Sequence, residues 1–190
     1  EKLINKMRKF ILILIFIFFP NAVNASEINN IIDKTTVFLM NNWDSDKSLK
    51  EIYPPQVVTT NEGTKVYGGC GDYKSGIDVG GSYYCPATHT IVLDPKQLKN
   101  FVKYFGNSSI AFVIAHEFAH ALQEGLGMKY EKPNSELQAD CLAGYFIQKG
   151  NKELEITREN ILEMASAAYG IGSKSHGTGA QRAYALLSGM

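Results

Sequence analysis

Residues 111–125 read AFVIAHEFAHALQEG. An apolar run of this length makes a helix, capped by Ser108 or Ser109 and stopped at Gly125. His116, Glu117 and His120 interrupt it, and polar groups in such a run cost free energy unless something satisfies them. The two histidines are four apart, about 400° of rotation and about 6 Å of rise, so both rings leave one face. Two imidazole nitrogens placed this way reach a single ion at about 2.0–2.1 Å, the zinc–histidine bond length. Glu117, about 100° further round, misses the ion but reaches a water on it. This is the H-E-x-x-H arrangement of two ligands and a general base. The alternative is a pair of core histidines satisfied by hydrogen bonds. The chain has four histidines, and two of them in one apolar turn argue against it.

A catalytic zinc site needs a third protein ligand and leaves the fourth position to water. The metzincin pattern requires Gly and His where this chain has Gln123 and Leu126, so that class is excluded. Residues 134–146, NSELQADCLAGYF, open a second apolar helix. Glu136 and Asp140 share a face of it. Glu136 is read as the third ligand, and Asp140 as the acceptor that orients a zinc histidine through its other ring N–H. An exchange of these two roles stays open. A favourable helix-dipole position accounts for Glu136 alone but not for an Asp one turn further in.

Residues 7–25, MRKFILILIFIFFPNAVNA, carry Arg8-Lys9, an apolar run from Phe10 to Phe19, and a small-residue site at Val23-Asn24-Ala25. That is the layout of a secretory signal peptide, assigned to residues 1–25, with residues 1–6 lying ahead of a signal already complete from Met7. The run is shorter than the roughly 20 residues of a spanning helix; membrane attachment follows only if the signal is retained as an anchor. The expectation is an exported chain, periplasmic or secreted, with residues 26–190 as one domain. The zero net charge of the whole chain gives no sign of a nucleic-acid partner. In an oxidising compartment Cys70 and Cys85, flanking a Gly- and Tyr-rich loop, read as a disulfide, with Cys141 left as a small buried residue.

Along the domain, residues 27–42 have helical spacing, QVVTT (56–60) and TKVYG (64–68) are strand-like, and HTIVLDP (89–95) is the clearest strand. Helices follow over about 95–104, 110–124, 133–148 and 156–168, and Thr178 with Gln181 forms a capping box for a last one. The fold class is α+β: a mostly helical domain with a small antiparallel strand region ahead of the H-E-x-x-H helix.

Three segments together resemble the bacterial neutral zinc metallopeptidase family, of gluzincin type: GSYYCPATHTIVLD (81–94), FVIAHEFAHALQ (112–123) with ELQADCLAGYF (136–146), and HGTGAQR (176–182). The match covers about residues 68–187. It implies a zincin-like fold, a Zn2+ cofactor, a peptide or protein substrate, an edge strand beside the cleft, and export or anchoring. Gluzincins place a late histidine over the reacting carbonyl; by this resemblance His176 stabilises the developing oxyanion, and Arg182 holds its loop through Glu117 or Asp140. Tyr145 and Tyr169 are reserve candidates for that role, and His89 is read as structural or cleft-lining. The substrate is expected to pair with HTIVLD. A zinc-stabilised binding protein without turnover and a cell-wall zinc amidase are the competing readings.

Overall fold

The computed structural model describes residues 25–60 and 81–190. The signal-peptide reading, the TKVYG segment and Cys70 lie outside the described residues. The first element, α1 (Ala25–Ser45), is longer at both ends than its apolar spacing alone indicates. Its buried stripe of Ile28, Ile32, Leu39 and Trp43 packs along the central helix. A 3-10 turn (Lys47–Leu49), capped by the Asp46 carboxylate, turns the chain toward the sheet, and Trp43 Nε1 ties the turn down by donating to Ile52 O at 2.8 Å.

The sheet has three short strands, β1 (Gln56–Thr59), β2 (Tyr83–Cys85) and β3 (Thr90–Leu93), in the order β1-β3-β2. β2 and β3 form the expected antiparallel pair ahead of the motif helix, and β1 adds to the other side of β3 in parallel. The clearest strand in the sequence is therefore the central one. Ile91, Val92 and Leu93 are buried on both faces, as such a continuous apolar run requires. This corrects the expectation that substrate pairs with HTIVLD, because both edges of β3 are already bonded and, among the described residues, the outer edges belong to β1 and β2. His89, at φ 50°, joins the strands: Tyr84 Oη lies 2.7 Å from its Nδ1, and its Nε2 lies 2.6 Å from Tyr53 O. Its role is structural.

Five helices follow. α2 (Pro95–Phe105) starts with Asp94 as N-cap and Pro95 in its first turn. α3 (Ser109–Gly125) is buried almost all round, with α1, α4 and the sheet on its sides. Neither proposed serine caps it in the usual way. Ser108 makes no side-chain cap bond, and Ser109 Oγ instead donates back to Gly106 O at 2.6 Å. α4 (Asn134–Lys149) lies against α3, and α5 (Arg158–Gly170) begins with a Thr157–Asn160 capping box. α6 (Gly179–Gly189) has the expected Thr178–Gln181 box.

α4 and α6 meet backbone to backbone. A Cβ on Gly144 would lie 2.0 Å from Leu186 O, and one on Gly189 would lie 1.9 Å from Cys141 O. Only glycine permits that approach, and it brings the first turn of α6 to the buried face of α4. Among the described residues no helix is long and apolar enough to cross a membrane.

Candidate metal centre

The site lies where α3, the N-terminal half of α4, β2 and the α5–α6 loop converge. It floors a cleft of about 430 Å³ whose walls include Ser82, Tyr83 and Tyr84 on one side and Lys132 and His176 on the other. His116, His120 and Gln123 follow each other at i, i+4 and i+7 on α3, one stripe of the helix. Glu136 and Asp140 share the face of α4 that meets this stripe.

His116 Nε2 and His120 Nε2 are 3.1 Å apart, and Glu136 Oε2 is 3.3 Å from each of them. A tetrahedral ion with bonds of about 2.0–2.1 Å has ligand–ligand edges of about 3.3–3.4 Å. The triangle fits one face of that tetrahedron, leaving the fourth position toward the cleft. The chemistry of the donors agrees. Both oxygens of Asp140 already accept from Arg182, Nε to Oδ2 at 2.8 Å and a terminal nitrogen to Oδ1 at 2.8 Å. His116 Nδ1 lies 2.9 Å from Asp140 Oδ1 without making an aligned hydrogen bond, and its Nε2 faces Glu136 Oε2 at 3.3 Å. Three donor atoms converging at 3.1–3.3 Å need positive charge among them, from a cation or from protons. His116, His120 and Glu136 are the His/His/Glu cluster of a zinc site.

The titration of these groups reflects the same demand for positive charge. Burial alone would lower the His116 imidazolium, but Asp140 and Glu136 beside it outweigh that and carry it up to about 9. Burial would raise Glu136, yet His116, His120 and Lys132 hold it far below the usual carboxylate range. Asp140, also desolvated, is held down by Arg182 and His116. Glu117 differs. Burial pushes it up despite the nearby imidazoles, because desolvation disfavours the charged carboxylate. The backbone amide of Tyr84, on β2, acts the other way and favours the ionised form.

Glu136 Oε2 faces both imidazole Nε2 atoms, and Asp140 sits behind His116. Arg182 binds Asp140, and also reaches Ile171 O at 3.5 Å, where the α5–α6 loop begins. In that loop Gly177, at φ 91°, completes a turn closed by Ser173. His176 Nδ1 lies 3.0 Å from Ser173 Oγ and 2.9 Å from Ser175 Oγ, which aims Nε2 at the site, 3.7 Å from Glu136 Oε2. Burial lowers the His176 pKa. Neither reserve tyrosine reaches the cleft. Tyr145 lines an apolar groove with Trp43 and Phe146, and Tyr169 is exposed at the end of α5. Cys85 ends β2 and is buried.

Two contributors escaped the sequence reading. Lys132 Nζ lies 2.9 Å from Glu136 Oε1 and so occupies the oxygen that faces away from the histidines. The signal was its position one helical turn before Glu136. Gln123 Oε1 lies 2.8 Å from His120 Nδ1, and its signal was the i+7 stripe it shares with His116.

Comparison with known proteins follows the same segments. The family model described as "Putative neutral zinc metallopeptidase" matches residues 23–186. The chain is 27% identical over 199 residues to the uncharacterized protein YpfJ of Escherichia coli K12, covering 86% of this chain and 67% of that protein. It is 34% identical over 91 residues to the uncharacterized protein Mb2605 of Mycobacterium bovis, covering 40% of this chain and 30% of that protein. No solved structure matches it.

Proposed function

The chain belongs to the neutral zinc metallopeptidase family, and we propose that it hydrolyses peptide bonds outside the cytoplasm, with Glu117 as general base and His176 as the oxyanion donor. Zinc peptidase chemistry rests on the family and on the His116–His120–Glu136 cluster; the residue roles and the location are the proposal. Zinc held by these three residues supplies a Lewis acid that activates water and polarises the scissile carbonyl. Glu117 takes the proton of the attacking water and delivers it to the leaving amine. Its place in the cleft lining beside His116, His120 and Glu136 supports this, since a general base must first be within reach of the proton it takes. His176 Nε2, aimed into the cleft by Ser173 and Ser175, donates to the carbonyl oxygen as charge develops there. Lys132 and Asp140 keep two of the metal-binding side chains in place. Lys132 binds Glu136 Oε1, and Asp140, held by Arg182, fixes the His116 ring.

An extended substrate lies along the edge of β2 that faces away from β3. Tyr83 and Tyr84 of β2 line the cleft, so a backbone carbonyl of this strand is the partner it offers to a substrate. That carbonyl accepts a substrate amide. Peptides N-methylated at that amide should show a raised KM; unchanged KM at every methylated position would remove the pairing. The signal-like segment at 7–25 supports export, and export supports a Cys70–Cys85 disulfide.

The observation that carries the function is the buried Glu117 beside three converging metal donors. The test compares wild type with Glu117→Gln for bound zinc and for digestion of a peptide library. We expect equal zinc in both, and activity only in wild type, reduced in the variant by about 10²–10⁴-fold. Equal activity in both would end the base assignment.

A further inference from the structure

We infer that Gln123 is the positioning residue that fixes His120 in its metal-binding tautomer and couples that histidine to the helix carrying Glu136. The inference deepens the zinc-site reading and rests on it. The side chain of Gln123 is buried, and both ends of its amide are engaged. Its Nε2 lies 2.8 Å from the backbone carbonyl of Ser135 and 2.9 Å from Gln138 Oε1. A backbone carbonyl can only accept, so the amide nitrogen must face Ser135, and a flipped amide would set two carbonyl oxygens against each other. With the nitrogen fixed there, Oε1 is the atom 2.8 Å from His120 Nδ1. A carbonyl oxygen accepts and cannot donate, so His120 Nδ1 carries the proton. The lone pair is left on Nε2, the atom 3.3 Å from Glu136 Oε2.

The acceptor that orients the amide is the carbonyl of Ser135, the residue immediately before Glu136. One side chain therefore sets the ring of the second metal histidine and the height of the α4 N-terminus against α3. His116 obtains the same result differently, from a carboxylate backed by an arginine. The two histidines are oriented independently, one by a charged partner and one by a neutral amide whose direction the backbone dictates.

The test has a readout that does not depend on activity. Nitrogen-15 NMR of the metal-free wild type should show His120 with its proton on Nδ1. In Gln123→Met, which cannot accept, that preference should disappear for His120, and zinc affinity should fall about 10–100-fold in a chelator competition. Gln123→Glu still accepts from Nδ1 but cannot donate to Ser135, so it should keep the tautomer and bind zinc more tightly than Gln123→Met. A His120 Nδ1 without a proton in the wild type would overturn the inference, and that measurement needs no variant to fold. An unchanged zinc affinity in Gln123→Met would overturn it as well. If the wild type shows the Nδ1 form but binds no zinc, the failure lies with the zinc reading and not with Gln123.

Discussion

Arg182 and Asp140, 42 positions apart in the chain, form a two-pronged ion pair with both bonds at 2.8 Å and both side chains buried. The pair stands directly behind His116, so a chain of contacts runs from the last helix through α4 to a metal-binding ring. Its acid is needed to hold the imidazole, and the arginine makes it possible for that acid to be charged in the interior.

Replacing the arginine alone should therefore be severe. Arg182→Met keeps much of the volume but leaves a buried carboxylate uncompensated, a situation that costs about 3–5 kcal/mol. Urea denaturation of the zinc-loaded protein should show a loss of that size, and Arg182→Lys should recover only part of it because an ammonium cannot make the forked contact. A loss below about 1 kcal/mol, the range of exposed pairs, would mean that solvent reaches Asp140.

The geometry that lets Arg182 reach Asp140 depends on two glycines. Gly144→Ala would place a methyl group 2.0 Å from Leu186 O, and backbone cannot yield as a flexible side chain can. We expect destabilisation of about 1–3 kcal/mol, the usual cost of overpacking. Zinc affinity should fall with it, because α6 carries Arg182. Retained stability together with retained zinc affinity would show that α6 shifts without disturbing the pair.

The local features of this fold were legible in the sequence because their causes are local. The i, i+4 spacing of His116 and His120, the i, i+4 spacing of Glu136 and Asp140, and the Thr178–Gln181 capping box each lie within one or two helical turns. The position of β3 as the central strand was not legible. Its apolar run shows that both faces are buried, but not that both edges are paired. Arg182 was tied to either Glu117 or Asp140, and only the approach at Gly144 and Gly189 decides for Asp140. Gln123 was noticed for what it excluded, since its own role depends on the carbonyl of Ser135, a group that no side-chain pattern reveals.

Metal removal should separate the site from the rest of the core. Without a cation, three electron-rich atoms face each other within 3.1–3.3 Å, and the cluster must relax or take up protons. Zinc should stabilise the folded chain by mass action, by about 2.7 kcal/mol when free zinc is one hundred times its Kd. Thermal melts with a chelator and with buffered zinc should therefore differ in Tm, with the gap growing as free zinc rises. His120→Ala should abolish that dependence. A Tm independent of zinc would show that the ion does not bind the folded state selectively.

His176 can be distinguished from the two tyrosines by substitution. Its Nε2 lies 3.7 Å from Glu136 Oε2, close enough to meet charge on a carbonyl above the metal-binding atoms. Tyr145 and Tyr169 point away from the cleft. His176→Ala should lower kcat by about 10²–10³-fold, the loss seen when one oxyanion donor is removed, with zinc content unchanged because the residue is not in the ligand cluster. Tyr145→Phe and Tyr169→Phe should leave kcat within about twofold. If His176→Ala instead raises KM and leaves kcat alone, the histidine binds ground state and transition state equally, and the donor must be sought elsewhere on the cleft wall, beginning with the hydroxyl group of Tyr83.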